Sequence, residues 1–272
     1  MEKSPSSFKT CSSDRLPSYL NPPVNEVVCG VRFQPPPKLT LPYIGILWSK
    51  FRAKYPRVEH APTLAIGASQ ILIDTVTGVP LPRVLFKNEQ DNQLIQFQTD
   101  RIYFNWRHRQ DTYPRYENVI KNFEEVLDII EAFLKESELG DFIPVECELT
   151  YLNHIPKRAG RETVEELQRV FRDFCWHEPP RFLSKPVNVS WNMRFALPEK
   201  KGHLVASLQG GTLKDNNTPV FVLNLTAKGV GQATDRSGIR EWFDTAHEWI
   251  VCGFADLATE KIQEEDWKRE NA

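Results

Sequence analysis

Residues 25–33 read NEVVCGVRF, and residues 145–153 read VECELTYLN, 120 positions further along. Both alternate as half-buried strands do, because successive side chains of a strand point to opposite faces. Val27, Cys29, Val31 and Phe33 share one face of the first; Cys147, Leu149 and Tyr151 hold the equivalent face of the second, and Glu26 falls on Glu146. The same shift carries Ile44, Leu47 and Phe51, at helical spacing within residues 41–55, onto Val164, Leu167 and Phe171. It also carries Phe123, Val126, Ile130 and Leu134, the stripe of a long helix over residues 117–136, onto Phe243, Ala246, Ile250 and Phe254. One gapless offset that serves a strand and two helices predicts an internal duplication.

Between the matched helices each half carries strand-like runs, RVLFK, QLIQFQ and RIYFNW in the first and NVSWNMRF, HLVASL and PVFVLNL in the second. Polar turns such as EQDN and LKDNN separate them. Each half reads strand, helix, several antiparallel strands, helix. Two such units predict an α+β protein whose curved antiparallel sheet is covered by helices on one face. The order resembles the duplicated saddle of the TATA-binding-protein-like fold, a topological likeness that implies no function by itself. The middle strands do not align at the 120-residue offset, so two side-by-side domains with separate sheets stay open at this point. The expected division is a flexible, Ser/Pro/Lys-rich arm at residues 1–22 outside the core, repeats at 23–140 and 141–263, and a charged tail at 264–272 with Trp267 its only large apolar group. Pro42 suits a first helical turn and Pro56 a helix stop.

The 272 residues include 34 basic and 36 acidic side chains, a formal charge of −2, with 40% hydrophobic residues. That balance is ordinary for a globular protein and lacks the basic excess of a general phosphate-backbone binder. No window approaches the ~18 consecutive apolar residues of a membrane span, and the N-terminus has no apolar segment of the secretion-signal type, so a cytoplasmic, membrane-free protein is expected. Cys11, Cys29, Cys147, Cys175 and Cys252 are odd in number and widely spaced, without a CxxC. They read as reduced thiols rather than a disulfide framework or a zinc site.

Alternation also names the side chains expected on the sheet face turned away from the helices: Arg101, Tyr103, Asn105 and Arg107; Gln96 and Gln98; Ser190, Asn192 and Arg194; Val205, Ser207 and Gln209; Val222, Asn224 and Thr226. Glu26, Arg32, Glu146 and Glu148 complete it. Such a polar face without a lysine stripe suits a peptide, a protein or a small polar ligand better than duplex DNA, unless it is merely solvated or covered by the N-terminal arm.

The densest functional-looking stretch is NWRHRQDTYPRY, with Asn105, Trp106, Arg107, His108, Arg109, Tyr113, Arg115 and Tyr116. Arginines interleaved with aromatic rings at a strand-to-helix junction can hold an anion or stack a base; the alternative is a solvated connection whose rings staple the helix start. Asp244 and His247, three apart on the last helix, share a face and form a possible polar pair. No HxxxH or HExxH motif supplies further ligands, so no metal is expected, and no nucleotide fingerprint points to a cofactor. Gly210, Gly211, Gly229 and Gly231 read as turn glycines.

The segments PPVNEVVCGVRF, NWR with YPRY, and FDTAHEWIVCGFADL resemble a sporadically distributed bacterial family of about this length with no established activity. The resemblance singles out Pro23, Glu26, Asn105, Trp106, Arg107, Tyr113, Pro114, Asp244 and His247. A further likeness, to small accessory proteins of type III-E CRISPR loci, implies an antiviral-defence setting. Three functions stand: a non-enzymatic adaptor for a protein or peptide partner, a nucleic-acid binder acting through the basic and aromatic stretch, and an enzyme centred on Asp244 and His247. The sequence leaves the oligomeric state open.

Overall fold

The computed structural model describes residues 16–64, 78, 81–109, 112–158, 163–177, 180–213, 217–231 and 234–270. In chain order the elements are β1 (Val24–Phe33), α1 (Leu41–Phe51), β2 (Arg57–Ala61), β3 (Arg83–Lys87), β4 (Gln93–Gln98), β5 (Arg101–Arg107), α2 (Tyr116–Glu136), β6 (Pro144–Pro156), α3 (Thr163–Val170), β7 (Trp191–Ala196), β8 (His203–Thr212), β9 (Pro219–Gly229), α4 (Arg236–Leu257) and α5 (Glu260–Glu265). All nine strands join one antiparallel sheet in the order β2-β3-β4-β5-β1-β6-β9-β8-β7, so the separate-sheets alternative does not hold. β1 and β6 lie side by side at its middle, with Cys29 opposite Leu149.

The helical stripes bury the residues their spacing selects. Ile44, Leu47 and Phe51 of α1 are buried, as are Phe123, Val126, Ile130 and Leu134 of α2 and Phe243, Ala246, Ile250 and Phe254 of α4. α2 packs over β1 and β5, and α4 over β6, β9 and β8. Together with Val27, Cys29, Val31, Phe33, Ile95, Phe97, Ile102, Phe104 and Trp106 they form one continuous core. Cys29 and Cys147 are buried free thiols, and burial holds the Cys147 thiol up at about 12, so both are inert apolar groups.

Several details depart from the sequence reading. β2 (RVEHA) was not anticipated, because its residues are mostly exposed and carry no apolar alternation. Gly210 and Gly211 lie within β8, and Gly229 ends β9, rather than forming turns. Side chains there would collide: a Cβ at Gly210 would stand 2.5 Å from Asn188 Oδ1. Residues 1–15 of the expected flexible arm lie outside the described residues, but residues 16–22 are bound to the body. The Leu20 and Asn21 amides donate to the Lys268 and Trp267 carbonyls, and Glu270 N–H donates to Ser18 O. Tyr19 is 5% exposed, donates its hydroxyl to Gln263 Oε1 at 2.8 Å, and meets Phe254 and Trp267 edge-on. Residues 18–21 and 267–270 therefore form a backbone clasp, and Trp267, 4% exposed, belongs to the core rather than to a solvated tail.

Candidate functional site

The strand-to-helix junction after β5 and the middle of α4 meet on the helix side of the sheet. Arg115, at φ 69°, turns the chain sharply into α2, which seats Tyr116 flat on the His247 ring with centroids 3.9 Å apart. Tyr116 donates to Asp244 Oδ1 at 2.8 Å, and Asp244 is also gripped by Arg240 Nε at 2.9 Å, one turn earlier on α4. Tyr151, from the centre of β6, lies 3.1 Å from His247 Nδ1 and 2.8 Å from the Tyr113 hydroxyl. Tyr113 in turn packs on buried Trp106 at 5.3 Å. Tyr113, Tyr116, Asp244 and His247, from two separate sequence stretches, thus converge; Tyr151 links them and was legible only as a core residue.

Burial drives His247 down to about 4, against the opposing pull of Asp244, so its imidazole is neutral at physiological pH. Burial also raises Tyr113, Tyr116 and Tyr151, keeping all three hydroxyls protonated. Tyr113, Tyr151 and His247 thus form a neutral hydrogen-bonded chain beside the Arg240–Asp244 ion pair. Above it lies a cavity of about 270 Å³, roofed by residues 16–19 and 22 and bounded by Tyr116, Tyr151, Asn153, His247 and Phe254. Asp244 is bound by Arg240 and Tyr116, and Glu117, on the same cavity, also accepts from Arg240 at 2.9 Å.

The remaining members of the basic stretch go elsewhere. Arg107 and Arg109 point to Asp91, in the β3–β4 turn, with N–O separations of 2.5 and 2.8 Å. Burial raises Asp91, but the hydrogen bond from Arg109 and the charges of Arg107 and Lys87 outweigh it and hold the carboxyl below its usual range. Arg115 runs the opposite way, to Ser18 Oγ, the Tyr19 carbonyl and Glu270, and locks the clasp. His108 is exposed, and its backbone amide donates to Asn25 O. The interleaved rings and arginines do not present one common surface, because Trp106 and Tyr116 are core residues.

The sheet face away from the helices divides into two unlike halves. On the first half, side chains read as open are shut in. Gln98 is 1% exposed because its amide imitates a neighbouring strand, accepting from Leu64 N and donating to Leu64 O. Arg101 is clamped by Asp100 through Nε and Nη2. Tyr103 is 7% exposed because its ring fills the space above Gly30, where a Cβ would stand 2.0 Å from it. Asn105, also buried, links Gln96 Nε2, whose bond it accepts, to Glu26, to which it donates. Burial raises the Glu26 carboxyl, opposed by that Asn105 bond and by Arg107 and Arg109.

At the centre, Glu148 accepts from Tyr103 and pairs with Lys228 at 2.8 Å, and Arg32 faces Glu146 at 3.7 Å. Beyond them, Thr150, Thr226 and Asn224 form a hydroxyl–amide row. Asn192, Arg194 and Gln209 are exposed, and Ser207, Asn224 and Thr226 partly so. Alternation placed Glu148 on this face, but its partner Lys228, and Asp91 in the β3–β4 turn, were not singled out, since pairing between strands is invisible to that pattern.

No family model, curated protein or solved structure matches this chain. Among the described residues no group of three or more His, Cys, Asp or Glu side chains is placed to hold a metal ion, and no helix is long and apolar enough to cross a membrane.

Proposed function

We propose that this protein is a non-enzymatic binding module that holds a peptide or protein partner on the uncovered sheet face over β7, β8 and β9. The observation that carries this reading is the internal neutralisation of the rest of the uncovered sheet face, from β5 across β1 and β6 to β9. Arg107 and Arg109 are bound to Asp91, Arg101 to Asp100, Lys228 to Glu148 and Arg32 to Glu146. Arginines already paired with carboxylates release few counterions on meeting a phosphate backbone, which removes the main source of nucleic-acid affinity. Neutral donors and acceptors on Asn192, Ser207, Gln209, Asn224 and Thr226 instead offer the hydrogen bonding typical of a protein interface. The seating of His247 between the Tyr116 ring and the Tyr151 hydroxyl favours a structural role for it over a catalytic one.

We also infer that the two halves arose by duplication and form a pseudo-two-fold saddle. A residue and its copy touch only where they straddle a two-fold axis. At the 120-residue offset two such pairs touch: Cys29 opposite Leu149 in the sheet, and Phe123 against Phe243 at 5.3 Å between α2 and α4.

The functional test is capture of partners by the tagged full chain, with and without nuclease, at low and high salt. A discrete protein that survives both treatments, and is lost from Asn192→Ala/Asn224→Ala at unchanged melting temperature, supports the reading. Recovery of nucleic acid, with binding lost at high salt, would overturn it in favour of a nucleic-acid binder.

A further inference from the structure

The two ends of the sheet are finished differently. At one end β3 is covered by β2, whose Arg57, Glu59 and His60 place charge and polarity along the outermost strand. Charged edges of that kind discourage pairing with another chain. At the other end β7 is outermost, hydrogen-bonded to β8 alone, and no described strand lies beyond it. Its sequence, WNMRFA, has no proline, no glycine and a single charge, so it lacks most of the usual protections of an edge. All six of its residues are exposed or partly so, and Phe182 and Val187, in the segment leading into it, are among the most exposed apolar side chains described.

We propose that β7 is a self-association edge, at which a second copy of this chain pairs antiparallel and continues the sheet across a two-fold axis. The strand's own pattern selects the occupant. Residues directly opposite in an antiparallel pair lie on the same face. With Met193 opposite Met193 of the second copy, Trp191 meets Phe195 twice on the helix side, and Asn192 meets Arg194 twice on the other. Both contacts are favourable cross-strand pairs and no like charges meet. Sliding the register by two residues in one direction sets Arg194 against its own copy; in the other it sets Phe195 against Val189 and Arg194 against Ser190, with no aromatic pair. Only the Met193-centred register matches aromatic to aromatic while keeping the two arginines apart. A six-residue edge with a few flanking apolar groups is smaller than a permanent interface, so the dimer forms reversibly and in proportion to concentration.

Cross-linking reads the register directly. In a full-length Cys11→Ser/Cys175→Ser background, Met193→Cys places two thiols across the axis, with Cβ atoms about 5 Å apart, within small adjustment of disulfide geometry. Mild oxidation should give a covalent dimer at least about tenfold faster than from Asn192→Cys, whose thiol faces Arg194 of the second copy. Sedimentation of the unmodified chain should show a dimer fraction that rises with concentration and disappears in Met193→Lys and in Arg194→Pro, each checked for an unchanged melting temperature. A chain that stays monomeric at every concentration, equal cross-linking at positions 192 and 193, or a dimer that survives both substitutions would overturn the proposal.

Discussion

Acidification should remove the stability that neutral His247 contributes, and the structure sets both sign and size. Unfolded, the imidazole titrates at about 6.5; folded, wedged between the Tyr116 ring and the Tyr151 hydroxyl, it titrates at about 4. Because the folded form binds the proton more weakly, the contribution is complete above pH 6.5 and is lost as pH falls toward 4. That gap is worth about 3 kcal/mol in full, of which about 2 kcal/mol is lost between about pH 7.5 and about pH 5. Urea denaturation followed by tryptophan fluorescence at those two pH values gives the loss for the native chain. His247→Gln keeps a hydrogen-bonding group near Tyr151 but cannot titrate, so its loss over the same interval should be smaller by about 2 kcal/mol. His154 and His203, also lowered by burial, are present in both proteins and cancel in the comparison. Asp91 and Asp235, whose folded values are depressed, lose their contribution only at lower pH and cancel likewise. Equal losses in the two proteins would refute the reasoning, since they would mean that His247 takes up its proton inside the folded state without penalty.

Arg169→Met should destabilise the protein by about 3 kcal/mol in denaturant titration, because Glu166, 1% exposed, would keep only the Arg158 amide of its present donors and become an unpaired buried charge; a loss under about 1 kcal/mol would count against it. Gly30→Ala should lower stability by about 2 kcal/mol, and removing the obstructing ring as well, in Gly30→Ala/Tyr103→Ser, should cost less than the sum of the two single changes. Phe123→Ala and Phe243→Ala should each cost about 3–4 kcal/mol and couple by about 1 kcal/mol in a double-mutant cycle, as two rings in contact do; strict additivity would show that the helix contact is not formed. Glu26→Gln should raise the melting temperature at neutral pH, because the folded carboxyl, raised by burial, carries a penalty that is absent below its unfolded value and grows as pH rises through its folded one; an unchanged or lower melting temperature would refute it.

The apolar periodicities determined much of this fold before any coordinates. Val27, Cys29 and Val31 could only be the inner face of a strand, and Phe123 to Leu134 only the inner stripe of a helix, because the backbone's repeats of two and of 3.6 residues leave no other arrangement that hides them. β2 had no such signature: an exposed edge strand is held by its backbone bonds to β3, which side-chain pattern does not record. The polar residues divided the same way. Alternation assigns Gln98, Tyr103 and Asn105 to the outer face, yet the structure buries all three, since exposure depends on what crosses from distant segments: Leu64 for Gln98, Gly30 beneath Tyr103, Glu26 for Asn105. Asp244 and His247 could be placed on one helix face from their spacing alone. That they meet Tyr113, Tyr116 and Tyr151 was decided by the packing of α4 across β6 and against α2, because hydrogen bonds and burial between segments 96 and 128 residues apart depend on tertiary geometry that no local pattern encodes.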